Sequence, residues 1–495
     1  MHKRFGMLLM AAAATALGGC DSVGEGNGLV GLELVPERAE GTRGNSDYLA
    51  VSYECIPESI SLVGRFTNGT SGRYNRRANW TSSDESVVRV SQGDIPIPGL
   101  AGSNFERGVL VPVAPGTAEV TAEYVGLSVS IPVEVRSPDS VRLTRTELAM
   151  APLTIESVGM EAVINGNAET VTGLALWSLS DESGDFVSVS STGTVSAAAV
   201  TTAPIELTGR LPLCADADYA ESTTVDGSQT LNINVSAIES IAIESEFTSG
   251  NSVDGNIDHD LMLGTTEFFT ATARLNGGAT QELTDQANLS FLATDSIDDV
   301  TVATFLNTPR GLLLGVALED GADSAQTTVT ARLGAADDPQ KFESGAVTVT
   351  VRNYPLTGFS IEPLTASIEA LSQQQYTATG TFDSGSGDVT QLITRQVTWG
   401  SSDNGAVVIA TGASSVVAGR ATSIALETED QNLTISGTAQ ISGTATTLDA
   451  ALTVTPIPQC RDGIDNDSDG LIDFGTDADN DPGCSAEDDV DESDA

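Results

Sequence analysis

The chain has 495 residues, too many for one small sandwich or barrel, and a formal net charge of −47 with only two histidines. An acidic balance of that size repels nucleic acid and anionic lipid headgroups, so no nucleic-acid partner is expected. So few imidazoles disfavour a Ser-His-Asp triad or a zinc site, and aromatics at 5% of the chain leave little material for a sugar-stacking groove.

In chain order, residues 1–19 read as a targeting segment. His2, Lys3 and Arg4 form a charged start, and Phe5 to Leu17 an apolar run too short to span a bilayer. Leu17-Gly18-Gly19-Cys20 resembles a bacterial lipobox. The resemblance implies cleavage before Cys20, acylation there, and attachment to a membrane of the cell envelope through that lipid. Two or more acyl chains anchor stably where one is marginal. No later stretch is apolar enough for a transmembrane helix. Asp21 leaves inner against outer membrane open, and residues 20–28 form a Gly-rich tether.

Beyond the tether, one outline returns four times. Trp80-Thr81-Ser82-Ser83-Asp84, Trp177-Ser178-Leu179-Ser180-Asp181 and Trp399-Gly400-Ser401-Ser402-Asp403 hold all three tryptophans, and Phe291-Leu292-Ala293-Thr294-Asp295 is a fourth copy. Short apolar strands precede each aromatic: Leu32 to Val35, Val141 to Leu143, Ile241 to Ile243 and Phe359 to Ile361. Each copy closes in strict alternation, as in Leu127, Val129, Ile131, Val133 and Val135 against Ser128, Ser130, Pro132 and Glu134. Period two means a strand with one wet and one buried face, so the chain is all-β. The copies are about 100 to 120 residues apart, the size of one immunoglobulin-like sandwich. The expected division is 29–136, 137–237, 238–354 and 355–456, in a rod with short, proline-bearing joints. The aromatics Trp80, Trp177, Phe291 and Trp399 are expected in the cores, with the Ser-Ser-Asp stretches as turns.

Tyr376-Thr377-Ala378-Thr379-Gly380-Thr381-Phe382-Asp383 followed by Val397-Thr398-Trp399-Gly400-Ser401-Ser402-Asp403 resembles the bacterial immunoglobulin-like domain, group 2. So do Phe269 to Ala273, Ala114 to Ala122 and Gly193 to Ala197. That resemblance implies extracellular sandwiches of adhesins and surface proteins, with no shared catalytic residues.

The tail, residues 457–495, sets fourteen acidic side chains against the single cation Arg461. Asp465, Asp467 and Asp469 alternate, Gly470 permits a sharp turn, and Asp473 stands at the ninth place. With the Leu471 carbonyl, this spacing wraps oxygen ligands around Ca²⁺. Asp477, Asp479 and Asp481 start a cruder second array. The stretch resembles the calcium repeats of thrombospondin type 3 modules. It departs from an EF-hand in having Thr476 where the bidentate glutamate belongs, so weak calcium binding competes with a simply disordered acidic tail.

Cys460 and Cys484 bracket this segment and are expected to pair. Cys55 and Cys214 remain, either bridging the first two sandwiches or standing as separate thiols. His259, among acids in an Asn/Asp/Gly-rich loop, is expected to be solvated. These features describe a non-enzymatic surface lipoprotein with a stalk for adhesion or scaffolding and a calcium-ordered tip, its partner a surface protein or polysaccharide. A polysaccharide-binding component of a surface complex is the alternative, and a glycoside hydrolase with paired carboxylates a third.

Overall fold

The computed structural model of the protein describes residues 29–490 apart from 41–47, 68–69, 99, 101, 216–225, 247–257, 298, 307, 340, 416, 425–428, 462–473 and 475–482. The chain is all-β and folds into four sandwiches in tandem. In the first, one sheet holds Leu29–Pro36, Glu58–Phe66, Val109–Pro112 and Val88–Val90, with Ser71–Arg73 on its margin. The facing sheet runs Ala39–Glu40, Leu49–Tyr53, Leu127–Arg136, Gly116–Tyr124, Asn79–Ser82. Leu34, Ile60 and Leu62 from one layer meet Trp80, Val120, Ala122 and Val133 from the other in a closed core. The alternation in Leu127–Arg136 does what period two predicts: Ile131, Val133 and Val135 are buried, and their neighbours face water.

The other copies repeat the aromatic-bearing sheet. Its strands are Leu176–Leu179, Ile205–Arg210, Ser228–Val235 and Glu147–Met150 in the second. They are Leu289–Asp295, Ser324–Leu333, Val347–Arg352 and Asp258–Met262 in the third, and Thr398–Ser401, Gln431–Ile441, Thr444–Thr455 and Thr365–Glu369 in the fourth. In each copy an early strand runs parallel to the last one: Ala50 opposite Val133, Leu148 opposite Ile233, Leu261 opposite Val351, Ile368 opposite Val454. His259 belongs to one of these strands, opposite Val349, and not to a loop. Its acidic neighbours read as loop composition, but the parallel ladder with Val347–Arg352 overrides local propensity.

Two further features recur in every copy. One glycine per copy (Gly108, Gly193, Gly311, Gly419) has a φ of 74–83° and accepts a backbone hydrogen bond from Ile60, Val158, Phe269 or Tyr376. At the last three a Cβ would come within 2.1–2.2 Å of a backbone carbonyl oxygen, so only glycine fits. The second is a side-chain oxygen on Asn75, Thr172, Thr284 or Thr394. It accepts from the backbone N–H of Leu62, Met160, Ala271 or Ala378 at 2.8–2.9 Å. This landmark puts the four copies in a common frame.

Trp80 and Trp399 are buried, and each indole N–H donates to a backbone carbonyl five residues upstream, Asn75 or Thr394. Trp177 and Phe291 are half-buried against their cores. Among the described residues no helix is long and apolar enough to cross a membrane.

Candidate functional sites in the joints and the tail

The parallel strand of each sandwich ends in a tight turn at the end from which the chain leaves. The turns are Tyr53 to Ile56, Ala151 to Thr154, Met262 to Thr265 and Glu369 to Ser372. The third residue of each is left-handed: Cys55 (φ 72°), Leu153 (64°), Gly264 (78°) and Leu371 (62°). A left-handed side-chain-bearing residue costs roughly 1–2 kcal/mol, so the turns at Cys55 and Leu153 need support from elsewhere, whereas Gly264 adopts the conformation freely. They receive it from the next sandwich. Tyr53, Cys55 and Ile56 are buried in the second core beside Leu148 and Met160. Ala151 is buried in the third core with Ile241 and Phe269, and Met262 in the fourth with Tyr376 and Trp399. The sandwiches therefore share core residues across every joint.

At the second and third joints a glutamine clasps the inserted turn. Gln281 Oε1 accepts from the Ala151 N–H at 2.7 Å, while its Nε2 donates to Thr154 Oγ1 at 3.2 Å and Glu156 Oε1 at 2.8 Å. Gln391 does the same one joint later, accepting from the Met262 N–H at 3.0 Å and donating to Thr265 Oγ1 at 2.6 Å. Both glutamines are buried. Five residues on, Gln286 pairs with the Ile155 backbone through both ends of its amide at 2.8 Å, and Gln396 donates to Thr266 Oγ1 at 2.8 Å. Arg395 adds a bidentate pair to Glu246 at 2.6 and 3.0 Å.

These clasps were missed in the sequence although a signal is present. Thr280-Gln281-Glu282-Leu283-Thr284-Asp285-Gln286 and Thr390-Gln391-Leu392-Ile393-Thr394-Arg395-Gln396 share five positions as Thr-Gln-x-(Leu/Ile)-Thr-x-Gln. The inner threonine is the landmark described above, and the first glutamine lies three residues before it.

At the first joint the glutamine position holds Glu169, and its partner is a cation. Arg38 bridges Glu169 of the second sandwich (2.5 Å) and Glu58 of the first (2.5 Å), with its guanidinium 5.4 Å above the Tyr53 ring. Burial outweighs the pull of Arg38 and pushes the Glu58 carboxyl up to about 8, with Glu37 and Glu169 adding repulsion. Ser137 in the connection donates to Glu54 at 2.5 Å, and Leu213 packs with Phe105 and Val111 of the first sandwich. Cys55 is fully buried here and disulfide-bonded. Cys214 falls in the short helix Pro212–Ala215, and its side chain lies outside the described residues.

An open cleft of about 450 Å³ lies at the third joint, lined by Glu246, Asp260, Met262, Thr390 and Gln391 among others. Its two carboxylates are committed to Arg395 and to Arg352, the latter at 2.8 Å. They therefore serve as ion pairs and are not a free acid and base.

In the tail, Cys460 and Cys484 are joined by a disulfide and buried. Asp465, Asp467, Asp469, Leu471, Asp473, Asp477, Asp479 and Asp481 lie outside the described residues, as does Cys20. Among the described residues no group of three His, Cys, Asp or Glu side chains is placed to hold a metal ion.

No family model matches the chain. It is 24% identical over 372 residues to Ice-binding protein 1 of Shewanella frigidimarina (strain NCIMB 400), covering 74% of this chain and 34% of that protein. The chain thus spans about a third of the length of that relative. Among solved structures, a protocadherin gammaB7 EC3-6 cis-dimer aligns over 82% of this chain and 98% of its own at 13% identity, with a TM-score of 0.18. The N-terminal four Ig domains of Dscam1 isoform 6.9 align over 85% and 99% at 10% identity, with a TM-score of 0.19. Scores this low have no bearing on function.

Proposed function

We propose that the protein is a non-enzymatic spacer of the bacterial cell surface, held to a membrane by lipid on Cys20. Its four sandwiches, with boundaries near residues 136, 237, 354 and 456, keep the Asp-rich tail away from that membrane. The observation that carries this reading is the shared core at all three joints. A flexible string of domains would leave Tyr53, Ala151 and Met262 exposed at the ends of their own sandwiches, whereas each is buried in its successor. The 372 residues shared with the ice-binding relative exceed leader and tail together, so that likeness runs through the sandwiches. It supports a common array and leaves the relative's activity with the relative. In this reading the tail binds Ca²⁺ through Asp465, Asp467, Asp469, the Leu471 carbonyl and Asp473, with Asp477, Asp479 and Asp481 as a second site.

Small-angle scattering of the unacylated mature chain tests the spacer. With about ten residues per strand a sandwich is roughly 35 Å long, so a stiff array ends near ~140 Å. The double variant Gln281→Ala, Gln391→Ala is expected to broaden the distance distribution. A wild-type distribution already as broad as the variant's would refute stiffness. Proteolysis of residues 460–484 with Ca²⁺ or chelator tests the tail, and equal cutting in both removes calcium.

A further inference from the structure

Three of the four end turns are covered by a following sandwich, and the fourth is followed directly by the tail. Ile457 is buried in the fourth core together with Ala370, the second residue of the fourth end turn. Arg461 reaches back to Glu369, the first residue of that turn, with Nη2 2.6 Å from Oε1. The segment that makes these contacts is itself held from several sides. Gln459–Arg461 is a helical turn, with the Arg461 N–H donating to the Pro458 carbonyl at 3.0 Å. The Cys460 carbonyl accepts from the Phe474 N–H at 2.9 Å, and the Cys460 N–H donates to the Asp489 carbonyl at 3.3 Å. The disulfide to Cys484 ties the same residue to the distal tail.

The cover is smaller than a sandwich. Leu153, the left-handed residue of the second end turn, packs on the third core, whereas its counterpart Leu371 is 55% exposed and nearby Ile424 is 51% exposed. The fourth turn thus keeps the form of an acceptor whose centre is occupied and whose rim is open.

We propose that Ile457–Arg461 is a cap: it occupies, on the fourth sandwich, the surface that the other three give to their successor, and so stops that face from stacking onto another molecule. Repetitive arrays need such a terminus because an uncovered stacking face associates with the next one available. The cap rests on the Arg461–Glu369 pair and on the burial of Ile457 in the core that holds Ala370, so it stands or falls separately from the stiffness of the three joints. It also gives the tail a role that needs no calcium.

Hydrogen exchange and sedimentation velocity on the full mature chain test the cap. Arg461→Ala should speed exchange at Glu369 to Ser372 by up to about fivefold, the range of a half-exposed ion pair, and leave Ala151 to Thr154 unchanged. The swap Glu369→Arg with Arg461→Glu should restore the slow rate. Ile457→Ser should speed the same turn further and make sedimentation concentration-dependent, as should a chain ending at Thr455. Trp399 fluorescence confirms that the fourth sandwich stays folded in each variant. Unchanged exchange at Glu369 to Ser372 in both point variants overturns the cap. So does a folded chain, ending at Thr455 or carrying Ile457→Ser, that sediments as a monomer at every concentration.

Discussion

The first joint and the later two solve one problem with different chemistry. Each must hold an end turn inside the next sandwich. At the second and third joints the holder is a buried neutral amide, Gln281 or Gln391, which satisfies a backbone N–H and a threonine hydroxyl together. At the first it is an ion pair, Glu169 with Arg38, whose guanidinium also meets the deeply buried Glu58 carboxyl, a group that keeps its proton up to about pH 8. An amide has no charge to lose and no counterion to attract, so the bonds it makes to a backbone N–H and a hydroxyl change little with pH or salt. A buried carboxyl beside two others responds to both. The first joint is accordingly the one whose holder of the end turn responds to solution conditions, and it also carries a buried disulfide-bonded cysteine.

The largest effect sought is on the shared cores. Met262→Ala removes a third-sandwich side chain from the fourth core and should destabilise the fourth sandwich by about 2–5 kcal/mol, read from Trp399 fluorescence during denaturation. Loss confined to the third sandwich would mean that the core is not shared. Next comes the amide clasp. Gln391→Ala leaves the Met262 N–H buried without a partner, while the Thr265 hydroxyl keeps its bond to the Met262 carbonyl, and should cost about 1–3 kcal/mol. That cost should be equal at low and high salt. Glu169→Ala, with its carboxylate part-exposed, should cost under about 1 kcal/mol and fade as salt rises. A salt-sensitive Gln391 or a salt-insensitive Glu169 would dissolve the contrast.

The finest distinction is in pH. The Glu58 carboxyl is raised to about 8 in the folded protein, above its ordinary value near 4.5, so the folded state keeps its proton longer than the unfolded chain does. Its stabilising contribution is complete below about pH 4.5 and is lost as pH rises through about 8, at no more than about 1.4 kcal/mol per unit. Glu58→Gln should therefore flatten the decline in stability of the first two sandwiches between pH 5 and 8 relative to wild type. It should leave the melting of the fourth untouched. Parallel wild-type and variant profiles would show that Glu58 does not titrate in this window.

Much of the architecture was legible without coordinates, because sheets announce themselves through period two and through repeated aromatics. The alternation of Leu127 to Val135 and the recurrence around Trp80, Trp177, Phe291 and Trp399 each report which way a side chain faces, and the sandwiches follow that pattern. His259 was misread because its acidic neighbours carry loop composition, while its place is set by a partner strand ninety residues away. The glutamine clasps were visible as a repeated heptapeptide and went unread, since a glutamine on a strand has no role until its partner is known.

Residue pattern by itself determined the all-β character and the fourfold repetition. Both depend on local periodicity and on short-range recurrence along the chain. Only the tertiary structure decided that Tyr53, Ala151 and Met262 leave their own sandwich for the next core, and that Arg461 closes the last end turn. An apolar side chain records that it must be buried, but not in which of two neighbouring cores. That choice is made by the turn that aims it, and the turn is held open by atoms more than a hundred residues away at two of the joints, as Ala151 with Gln281 and Met262 with Gln391 show.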